Sequence, residues 1–348
     1  MNIIDLFSGV GGLSLGFEQN GFKVVFANEI DENIAFSYKK NFPETECLTK
    51  DIEKINLKKE FSRFSNKVSV VCGGPPCQGL SQKGKRHWFQ DKRNFLFKNF
   101  LEVVKIVNPS FVLIENVPNL VTAYRGYFLK EIEKIFEDLN YKINAKILHA
   151  NKFGVPQIRR RAFILARKKE INFELDESND TKTIFQDSVS DLPELRSGEG
   201  KEFFDYIKKP LNSYQKKMRK NSKGIWNHIA TNHTSLALKR MKFMKIGGVR
   251  TDLPKEHLTG SIYSGTWSRI IPDSFARTIT TRFDTPSSGQ FTLPYQDRCL
   301  TVREAARIQS FPDNFIFYGK KNSQMIQVGN AVPPFISYNI AKLIKKNL

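Results

Sequence analysis

The first half of the chain alternates short apolar runs with longer segments in which apolar residues recur every three or four positions. The short runs predict strands at residues 3–6, 23–27, 68–72, 111–115 and 162–166. The longer segments predict amphipathic helices at residues 13–20, 95–107 and 128–139. This alternation predicts an α/β fold, a Rossmann-like and mostly parallel sheet with helices on both faces. Ligands of such sheets bind outside the carboxyl ends of the strands, so we expect the chemistry to follow Leu6, Ala27, Cys72 and Ile114.

The alternation stops after about residue 167. Residues 170–275 mix charge clusters with Asn, Ser, Gly and short aromatic runs, which predicts a smaller and irregular domain. Helical signals return near the end, where a capping-box sequence begins at Thr301 and apolar residues recur on one side of residues 335–343. We therefore predict one domain from residues 1–172 and 320–348, and a second domain with a hinge from residues 173–319.

The charge of the chain indicates a polyanionic partner. Its 348 residues include 55 Lys and Arg against 35 Asp and Glu, a formal net charge of +20. Residues 206–255 carry thirteen Lys or Arg and one acid, Asp252, together with scattered aromatic side chains. A basic tract with aromatic residues suits a nucleic-acid surface. The alternative is a basic face that is only solvated.

The remaining composition argues for a reducing compartment. The sequence begins without a secretory leader, and no apolar run approaches the roughly 20 residues that span a bilayer. Neither a disulfide framework nor a metal site is predicted, because no CxxC spacing occurs among Cys47, Cys72, Cys77 and Cys299.

A glycine-rich turn between the first strand and the first helix predicts a nucleoside cofactor. Gly9, Gly11 and Gly12 would let the backbone approach a ligand at a helix N-terminus. Glu29 follows the second strand, where an acid typically accepts hydrogen bonds from ribose hydroxyls. The dinucleotide fingerprint is incomplete, since Ser14 stands where its third glycine would be. The alternative is a tight turn beside a solvated carboxylate.

Three further segments carry candidate chemistry. Cys77 follows two prolines just after a strand end, and a cysteine in an exposed, stiff loop is a candidate nucleophile. Glu115 ends an apolar strand, where an acid is rarely a simple surface charge. In an extended chain Arg159 and Arg161 face the same way, and two parallel guanidinium groups suit a carbonyl oxygen and a phosphate. The alternative for the arginines is a basic edge strand.

Together these segments resemble the cytosine-5 DNA methyltransferase family of the bacterial restriction-modification type. The matching segments run in family order along nearly the whole chain, and only residues 170–275 lack a motif. They are Phe7-x-Gly9-x-Gly11-Gly12, Asn28-Glu29-Ile30-Asp31, Asp51, Pro75-Pro76-Cys77-Gln78 with Ser81, Glu115-Asn116-Val117, Gln157-x-Arg159-x-Arg161, Arg303-Glu304-Ala305-Ala306-Arg307 with Phe311-Pro312, and Gln327-Val328-Gly329-Asn330-Ala331-Val332-Pro333-Pro334.

The resemblance implies a fold and a set of site residues. It implies the fold of S-adenosylmethionine-dependent methyltransferases, with residues 173–319 as target-recognition domain. Cofactor contacts would come from Phe7, Ser8, Gly9, Gly11, Gly12, Leu13, Glu29, Ile30, Asp51, Ile52, Pro75, Asn330, Ala331 and Val332. DNA contacts would come from Pro76, Gln78, Ser81, Lys83, Lys85, Arg86, Arg269, Arg277, Thr281 and Arg282.

The resemblance also implies the reaction. Cys77 would add to carbon 6 of an extruded cytosine, so that carbon 5 takes the methyl group and S-adenosylhomocysteine is left. Glu115 would assist at ring nitrogen 3, and either Arg159 or Arg161 would hold the cytosine carbonyl. The implied substrate is double-stranded DNA. The implied setting is a monomer in the bacterial cytoplasm at the nucleoid, with a restriction endonuclease that acts on the same site without direct contact.

Three alternatives remain open from the sequence. A branch of the family methylates tRNA and typically carries a Cys-Phe-Thr element, which residues 170–275 lack. A catalytically inactive relative that only binds DNA would usually have lost Cys77 or Glu115, and both are present. An NAD-dependent dehydrogenase shares the type of fold, but it does not account for the Pro-Pro-Cys-Gln segment.

Overall fold

Two compact units make up the chain. The computed structural model describes residues 1–76, 95–170, 172–175, 182–260 and 264–348. The first unit comprises Met1–His149, Arg160–Glu177 and Pro334–Leu348, and the second comprises Ala150–Arg159 and Ser178–Pro333. The units therefore differ from the predicted domains, chiefly in that residues 150–159 and 320–333 pack with the second unit. The functional division into domains stays a prediction.

A seven-stranded sheet organises the first unit. Its strands are β1 (Asn2–Leu6), β2 (Lys23–Glu29), β3 (Glu46–Thr49), β4 (Val70–Gly73), β5 (Phe111–Asn116), β6 (Lys142–His149) and β8 (Arg160–Arg167). Their order is β3-β2-β1-β4-β5-β8-β6, with β8 antiparallel to both of its neighbours and parallel pairing from β3 to β5. The predicted α/β fold with a mostly parallel sheet is confirmed.

Helices of the first unit pack in pairs: α1 (Gly12–Glu18) with α12 (Pro334–Lys346), and α3 (Leu57–Phe61) with α4 (Phe95–Val107). The central strands are continuous apolar runs because parallel strands are buried on both faces. Side chains of β1, β4, β5 and α4 share one core. The helices are α1 (Gly12–Glu18), α2 (Glu32–Asn41), α3 (Leu57–Phe61), α4 (Phe95–Val107), α5 (Asn119–Thr122), α6 (Tyr127–Asp138) and α12 (Pro334–Lys346).

The strand order reverses at β1, which has β2 on one side and β4 on the other. At such a switch point the loops leave the carboxyl ends of neighbouring strands in opposite directions and open a crevice for ligands. The segments that follow Leu6, Glu29, Gly73 and Asn116 all leave the same edge of the sheet, because β1, β2, β4 and β5 are parallel. The sequence-based location of the chemistry thus falls at this edge.

The second unit is built from short elements and buried charge. Within it, the guanidinium of Arg298 binds the carboxylate of Glu304 through two hydrogen bonds of 2.8 Å. The predicted capping box is confirmed, since Thr301 and Glu304 exchange hydrogen bonds at the start of α10. Its elements are β7 (Gln157–Ile158), β9 (Gly200–Phe204), β10 (Ile225–Ile229), β11 (Ala276–Arg277), α7 (Phe185–Val189), α8 (Ser213–Arg219), α9 (Ser235–Met241), α10 (Val302–Ile308) and α11 (Lys321–Asn330).

Among the helices of the described residues, none is both long and apolar enough to cross a bilayer.

Candidate active site

The glycine turn after β1 leaves open space beside the backbone. Phe7, Gly9 and Gly11 all adopt positive φ angles, of 55°, 55° and 98°, which bends the chain from β1 into α1. A Cβ at Gly11 would lie 2.3 Å from the ring of Phe42, so the turn is closed on that side. Among the described residues, a Cβ at Gly9 would meet no atom within 4 Å. The turn therefore offers free backbone surface at the switch point of the sheet.

Glu29 is fixed beside this turn by two backbone amides. The amide of Gly9 donates to Oε2 at 3.0 Å, and the amide of Asp31 donates to Oε1 at 2.9 Å. Burial raises the pKa of Glu29 above its ordinary value, while these two hydrogen bonds lower it. Each carboxylate oxygen has a second lone pair, so the group can still accept from two hydroxyls of a ribose. The site thus holds an oriented acceptor next to open space.

The end of β3 is tied to the end of β2 through Asn28. Its side-chain amide donates to the carbonyls of Leu48 and Lys50, at 3.0 and 2.8 Å, which fixes the chain just before Asp51. Asp51 caps the short turn that follows by accepting from the amide of Glu53 at 3.1 Å. Its carboxylate therefore stands at the same edge of the sheet as Glu29.

The two isoleucines predicted to contact the cofactor differ in burial. Ile30 is 64% exposed, as expected for an apolar residue that packs against one face of a planar ring. The side chain of Ile52 is only 2% exposed and belongs to the core of the sheet. The side chain of Ile52 is therefore packed in the core and offers almost no surface to a ligand, and the cofactor contact at Ile52 stays a prediction.

Together these features fit a nucleoside-containing cofactor such as S-adenosylmethionine. Open backbone, a ribose acceptor and an exposed apolar side chain are the three kinds of contact that a nucleoside needs. The other predicted cofactor residues of the first unit, all described, are Phe7, Ser8, Gly12, Leu13 and Pro75. Those of the second unit are Asn330, which is exposed, and Ala331 and Val332, which are buried.

Glu115 and Arg161 form an ion pair where β5 and β8 lie side by side. Nε of Arg161 stands 3.1 Å from Oε1 of Glu115, and both side chains are largely buried. Glu115 pairs with Phe163 in the antiparallel register, so Arg161, two residues away, faces the same side of the sheet. A carboxylate and a guanidinium held together at a strand end can bind adjacent polar atoms of one planar ring.

Asn116 places the start of the proline segment beside this pair. Its Nδ2 donates to the carbonyl of Pro75 at 2.9 Å. A Cβ at Gly74 would lie 3.2 Å from Oε2 of Glu115, so the backbone before Pro75 passes close to the carboxylate. The predicted site residues did not include Asn116, although its place directly after the acid at a strand end was a usable signal.

Several predicted residues lie outside the described part of the chain: Cys77, Gln78, Ser81, Lys83, Lys85 and Arg86. Pro76 is described and partly buried. The other three cysteines are poor nucleophiles, because burial raises the pKa of Cys47 to about 11, that of Cys299 to about 12 and that of Cys72 well above its ordinary value.

Arg159 has different partners from Arg161. We expected its guanidinium to face the same way as that of Arg161, but the extended run is interrupted at residue 159, between β7 and β8. Arg159 is 1% exposed and donates to the backbone carbonyls of Ile279, Gly329 and Ala331, each at 3.0 Å. Its guanidinium is therefore engaged within the second unit, whereas Arg161 is paired with Glu115.

The arginines predicted to contact DNA also differ. Arg269 is buried and donates to four backbone carbonyls and to the carboxylate of Asp297, which argues against the predicted DNA contact. Arg277 is exposed on β11, and Thr281 is partly exposed. Arg282 is 63% exposed and pairs with Asp284 at 3.2 Å. Exposed guanidinium groups can reach a phosphate, whereas that of Arg269 is already saturated.

The buried carboxylate of Asp5, below the glycine turn, was not among the predicted site residues. Asp5 of β1 accepts from Oγ of Ser14 at 2.6 Å, and Oγ of Ser14 lies 2.7 Å from the hydroxyl of Tyr38. Burial raises the pKa of Asp5 to about 7, while hydrogen bonds from Ser14 and Cys72 lower it. The signal was available, because an acid interrupts an otherwise apolar strand.

Comparison with known proteins supports the resemblance over the whole chain. The family model described as C-5 cytosine-specific DNA methylase matches residues 1–346. The Type II methyltransferase M1.HphI of Haemophilus parahaemolyticus is 39% identical, over 99% of this chain and 87% of its own length. The Type II methyltransferase M.DdeI of Desulfomicrobium norvegicum is 35% identical, over 99% of this chain and 88% of its own.

Solved structures show the same fold. A protein described as a DNA modification methyltransferase encoded within an E. coli prophage is 27% identical with a TM-score of 0.79, and the match covers 99% of each chain. The Dnmt2 methyltransferase of S. pombe is 18% identical with a TM-score of 0.64, over 100% of this chain and 99% of that one. At this lower identity the second match supports the fold alone.

Proposed function

Because the chain belongs to the C-5 cytosine-specific DNA methylase family and is thereby a DNA cytosine-5 methyltransferase, we propose that Cys77, Glu115 and Arg161 carry out its reaction. The observation that carries the proposal is the Glu115–Arg161 pair of 3.1 Å at the carboxyl end of β5. Cys77 is assigned from its sequence motif, since it lies outside the described residues.

Cytosine carbon 5 must be activated before it can accept a methyl group. The thiolate of Cys77 adds to carbon 6, which makes carbon 5 enamine-like and nucleophilic. Carbon 5 then bonds to the methyl carbon, and the electrons of the old bond remain on the donor sulfur. Loss of the carbon-5 proton and expulsion of the thiolate restore the aromatic ring and the enzyme.

Glu115 and Arg161 would stabilise the ring while carbon 6 is attacked. Negative charge develops on ring nitrogen 3 and on the carbonyl oxygen beside it. A carboxyl group of Glu115 can share a proton with the nitrogen, and the guanidinium of Arg161 can donate to the oxygen. We assign the carbonyl to Arg161 because the guanidinium of Arg159 is engaged with three backbone carbonyls.

The methyl donor is S-adenosylmethionine, which supplies an electrophilic methyl group on a sulfonium sulfur and leaves as S-adenosylhomocysteine. Glu29 would bind the ribose hydroxyls, and Asp51 would accept from the adenine amino group. Ile30 would cover the adenine face, and the backbone at Gly9 would border the rest of the molecule. The support for this assignment is the open space at Gly9 and the fixed carboxylate of Glu29.

The substrate is a cytosine in a specific short sequence of duplex DNA. Extruding a base costs a few kcal/mol, which phosphate and base contacts must offset. Exposed Arg277 and Arg282, with Thr281 between them in sequence, are the contacts that we retain in the second unit. We further propose a monomer in the bacterial cytoplasm, with a restriction endonuclease that cuts the same site without touching this chain.

Incorporation of tritium from labelled S-adenosylmethionine tests the function. Unmethylated plasmid DNA and bulk tRNA are incubated in parallel, and the nucleosides are analysed after digestion. Label in 5-methyldeoxycytidine is expected, and Cys77→Ser should abolish it while duplex binding survives. Cys47→Ser, which alters a partly buried thiol, is the matched control and should retain activity. Near-normal turnover by Cys77→Ser would falsify the assignment, and label in tRNA alone would replace DNA by RNA as substrate.

A further inference from the structure

Arg159 holds together two backbone segments that are far apart in sequence. Its Nη1 donates to the carbonyl of Ile279, and its Nη2 donates to the carbonyls of Gly329 and Ala331, all at 3.0 Å. Gly329 and Ala331 flank Asn330, so Arg159 is hydrogen-bonded to the backbone on both sides of that residue. A planar guanidinium can serve three carbonyls at once, which a single ammonium cannot do in the same geometry.

Two buried glutamines make further hydrogen bonds to the same backbone segments. Gln157 accepts from the amide of Ile279 at 3.0 Å and donates to Oε1 of Gln309 at 2.6 Å. Gln309 in turn donates to the carbonyl of Val328 at 2.9 Å. We call Gln157, Arg159 and Gln309 the carbonyl clamp. All three side chains are buried, and the hydrogen bonds that they make to residues 279 and 328–331 lie within the second unit.

The clamped segments touch backbone to backbone. A Cβ at Gly329 would lie 2.3 Å from the carbonyl oxygen of Thr280. The contact leaves no room for a side chain at residue 329, so the position of residues 329–331 depends on residues 279–281 and on the clamp that joins them. Removing Arg159 would leave three buried carbonyls without this donor, and the segments would shift to recover hydrogen bonds.

We propose that Arg159 is a positioning residue for the methyl donor: it fixes the backbone on both sides of Asn330 so that residues 330–332 can bind S-adenosylmethionine. The inference rests on the proposed function and on the family resemblance, which implies that Asn330, Ala331 and Val332 contact the cofactor. It differs from the sequence-based alternative in which Arg159, and not Arg161, holds the cytosine carbonyl. Arg159 acts on cofactor affinity, and Arg161 acts on the rate of methyl transfer.

Arg303 offers a matched control. It is also fully buried in the second unit and donates to three backbone carbonyls, those of Trp226, Pro312 and Phe315, at 2.8, 3.0 and 2.7 Å. None of these carbonyls belongs to residues 279–281 or 328–332. Arg303→Lys therefore removes the same kind of interaction from the same unit without altering the clamp.

The test compares Arg159→Lys with Arg303→Lys by calorimetric titration with S-adenosylmethionine, by thermal unfolding and by steady-state kinetics. Both variants should lower the Tm. Only Arg159→Lys should raise the Kd and KM for S-adenosylmethionine, by about tenfold or more, as expected when donors to buried carbonyls are lost. Its kcat at saturating cofactor should stay within about threefold of wild type. A positioning residue that is remote from the reacting atoms should change the activation barrier of methyl transfer only slightly.

Unchanged cofactor affinity in Arg159→Lys, with a Tm loss like that of Arg303→Lys, would reduce Arg159 to a structural role and overturn the inference. A loss of kcat at unchanged cofactor affinity would indicate that Arg159 binds the cytosine carbonyl, and would overturn the inference. If Arg159→Lys does not fold, Gln309→Met, which removes the donor to Val328, should raise the Kd in the same direction and must do so for the inference to stand. A wild-type protein that fails to bind S-adenosylmethionine contradicts the proposed function itself, a result distinct from these.

Discussion

At the residue scale, the two arginines of the Gln157-x-Arg159-x-Arg161 segment have different partners. Arg161 forms an ion pair with a carboxylate, and Arg159 donates hydrogen bonds to backbone carbonyl oxygens. The guanidinium of Arg161, although paired with Glu115, can still donate to a polar substrate atom that binds next to this carboxylate. A buried guanidinium that donates to three backbone carbonyls is instead part of the scaffold.

Glu115→Gln should lower kcat by at least about a hundredfold, the usual effect of losing an acid–base group. The amide keeps the size of the side chain and can still accept from Arg161, so duplex affinity and Tm should change little. Single-turnover methylation of a short duplex measures the rate. Glu133→Gln, an exposed acid on α6, should behave as wild type. A Glu115→Gln enzyme with the wild-type rate would show that Glu115 is only structural.

Asp5 should make stability depend on pH. Burial raises its folded-state pKa to about 7, whereas an unfolded aspartate titrates near ~3.9. Between these values the folded chain holds a proton that the unfolded chain has lost. The stabilisation is therefore present at low pH and lost as pH rises to about 7, by at most about 1.4 kcal/mol per pH unit.

The groups that face Asp5 are Ser14, Tyr38, Cys72 and Glu29. Asp5→Asn keeps an acceptor for Ser14 and removes the titration, so its free energy of unfolding should vary less between pH 5 and 7. Urea unfolding of both proteins at several pH values measures the difference. Parallel curves for the two proteins would mean that Asp5 does not titrate in this range.

At the element scale, the first and last helices of the first unit depend on one close contact. A Cβ at Gly16 of α1 would lie 2.1 Å from Oγ of Ser337 and 2.4 Å from the backbone nitrogen of Tyr338 on α12. Oγ of Ser337 also donates to the carbonyl of Gly12 at 2.8 Å. The helix that follows the glycine turn is thus held in place by the end of the chain.

Gly16→Ala should lower the free energy of unfolding by roughly 1–3 kcal/mol, the usual cost of overpacking. Alanine is the better helix former by about 1 kcal/mol, so the measured loss is what remains after that gain. Gly260→Ala, where a Cβ would meet no atom of the described residues within 4 Å, should change stability by less than about 0.5 kcal/mol. Urea unfolding compares the two. Equal or greater stability of Gly16→Ala would show that α12 can shift without cost.

At the scale of the whole molecule, the net charge of +20 should govern affinity for duplex DNA. Lysine and arginine that neutralise phosphates release bound counterions, so affinity falls steeply with salt. Fluorescence anisotropy with a labelled duplex of unrelated sequence should show at least roughly a tenfold loss of affinity between about 50 and 200 mM salt. Affinity for S-adenosylmethionine, measured under the same conditions, is the control and should change much less. A flat dependence for the duplex would mean that the basic tract does not contact phosphates.

Most of the sheet and the identity of the chemical groups could be predicted from the amino-acid sequence alone. Apolar runs predicted β1, β2, β4, β5 and β8 because burial on both faces requires continuous apolar strands. β3, β6 and α2 were not predicted, because each mixes apolar with polar or charged residues and has no continuous apolar run. The acid at the end of β5 and the glycine turn after β1 were readable because each depends on local chain geometry.

The pairing of polar groups could not be predicted in this way, because it depends on the packing of distant segments. The acceptors of Arg159 lie 120, 170 and 172 residues away along the chain, and those of Arg269 come from both sides of it. Residue type and spacing state what a side chain can donate, but the acceptor that it finds depends on how distant segments pack. For the same reason Ile30 and Ile52, equivalent by sequence, separate into an exposed surface and a buried core.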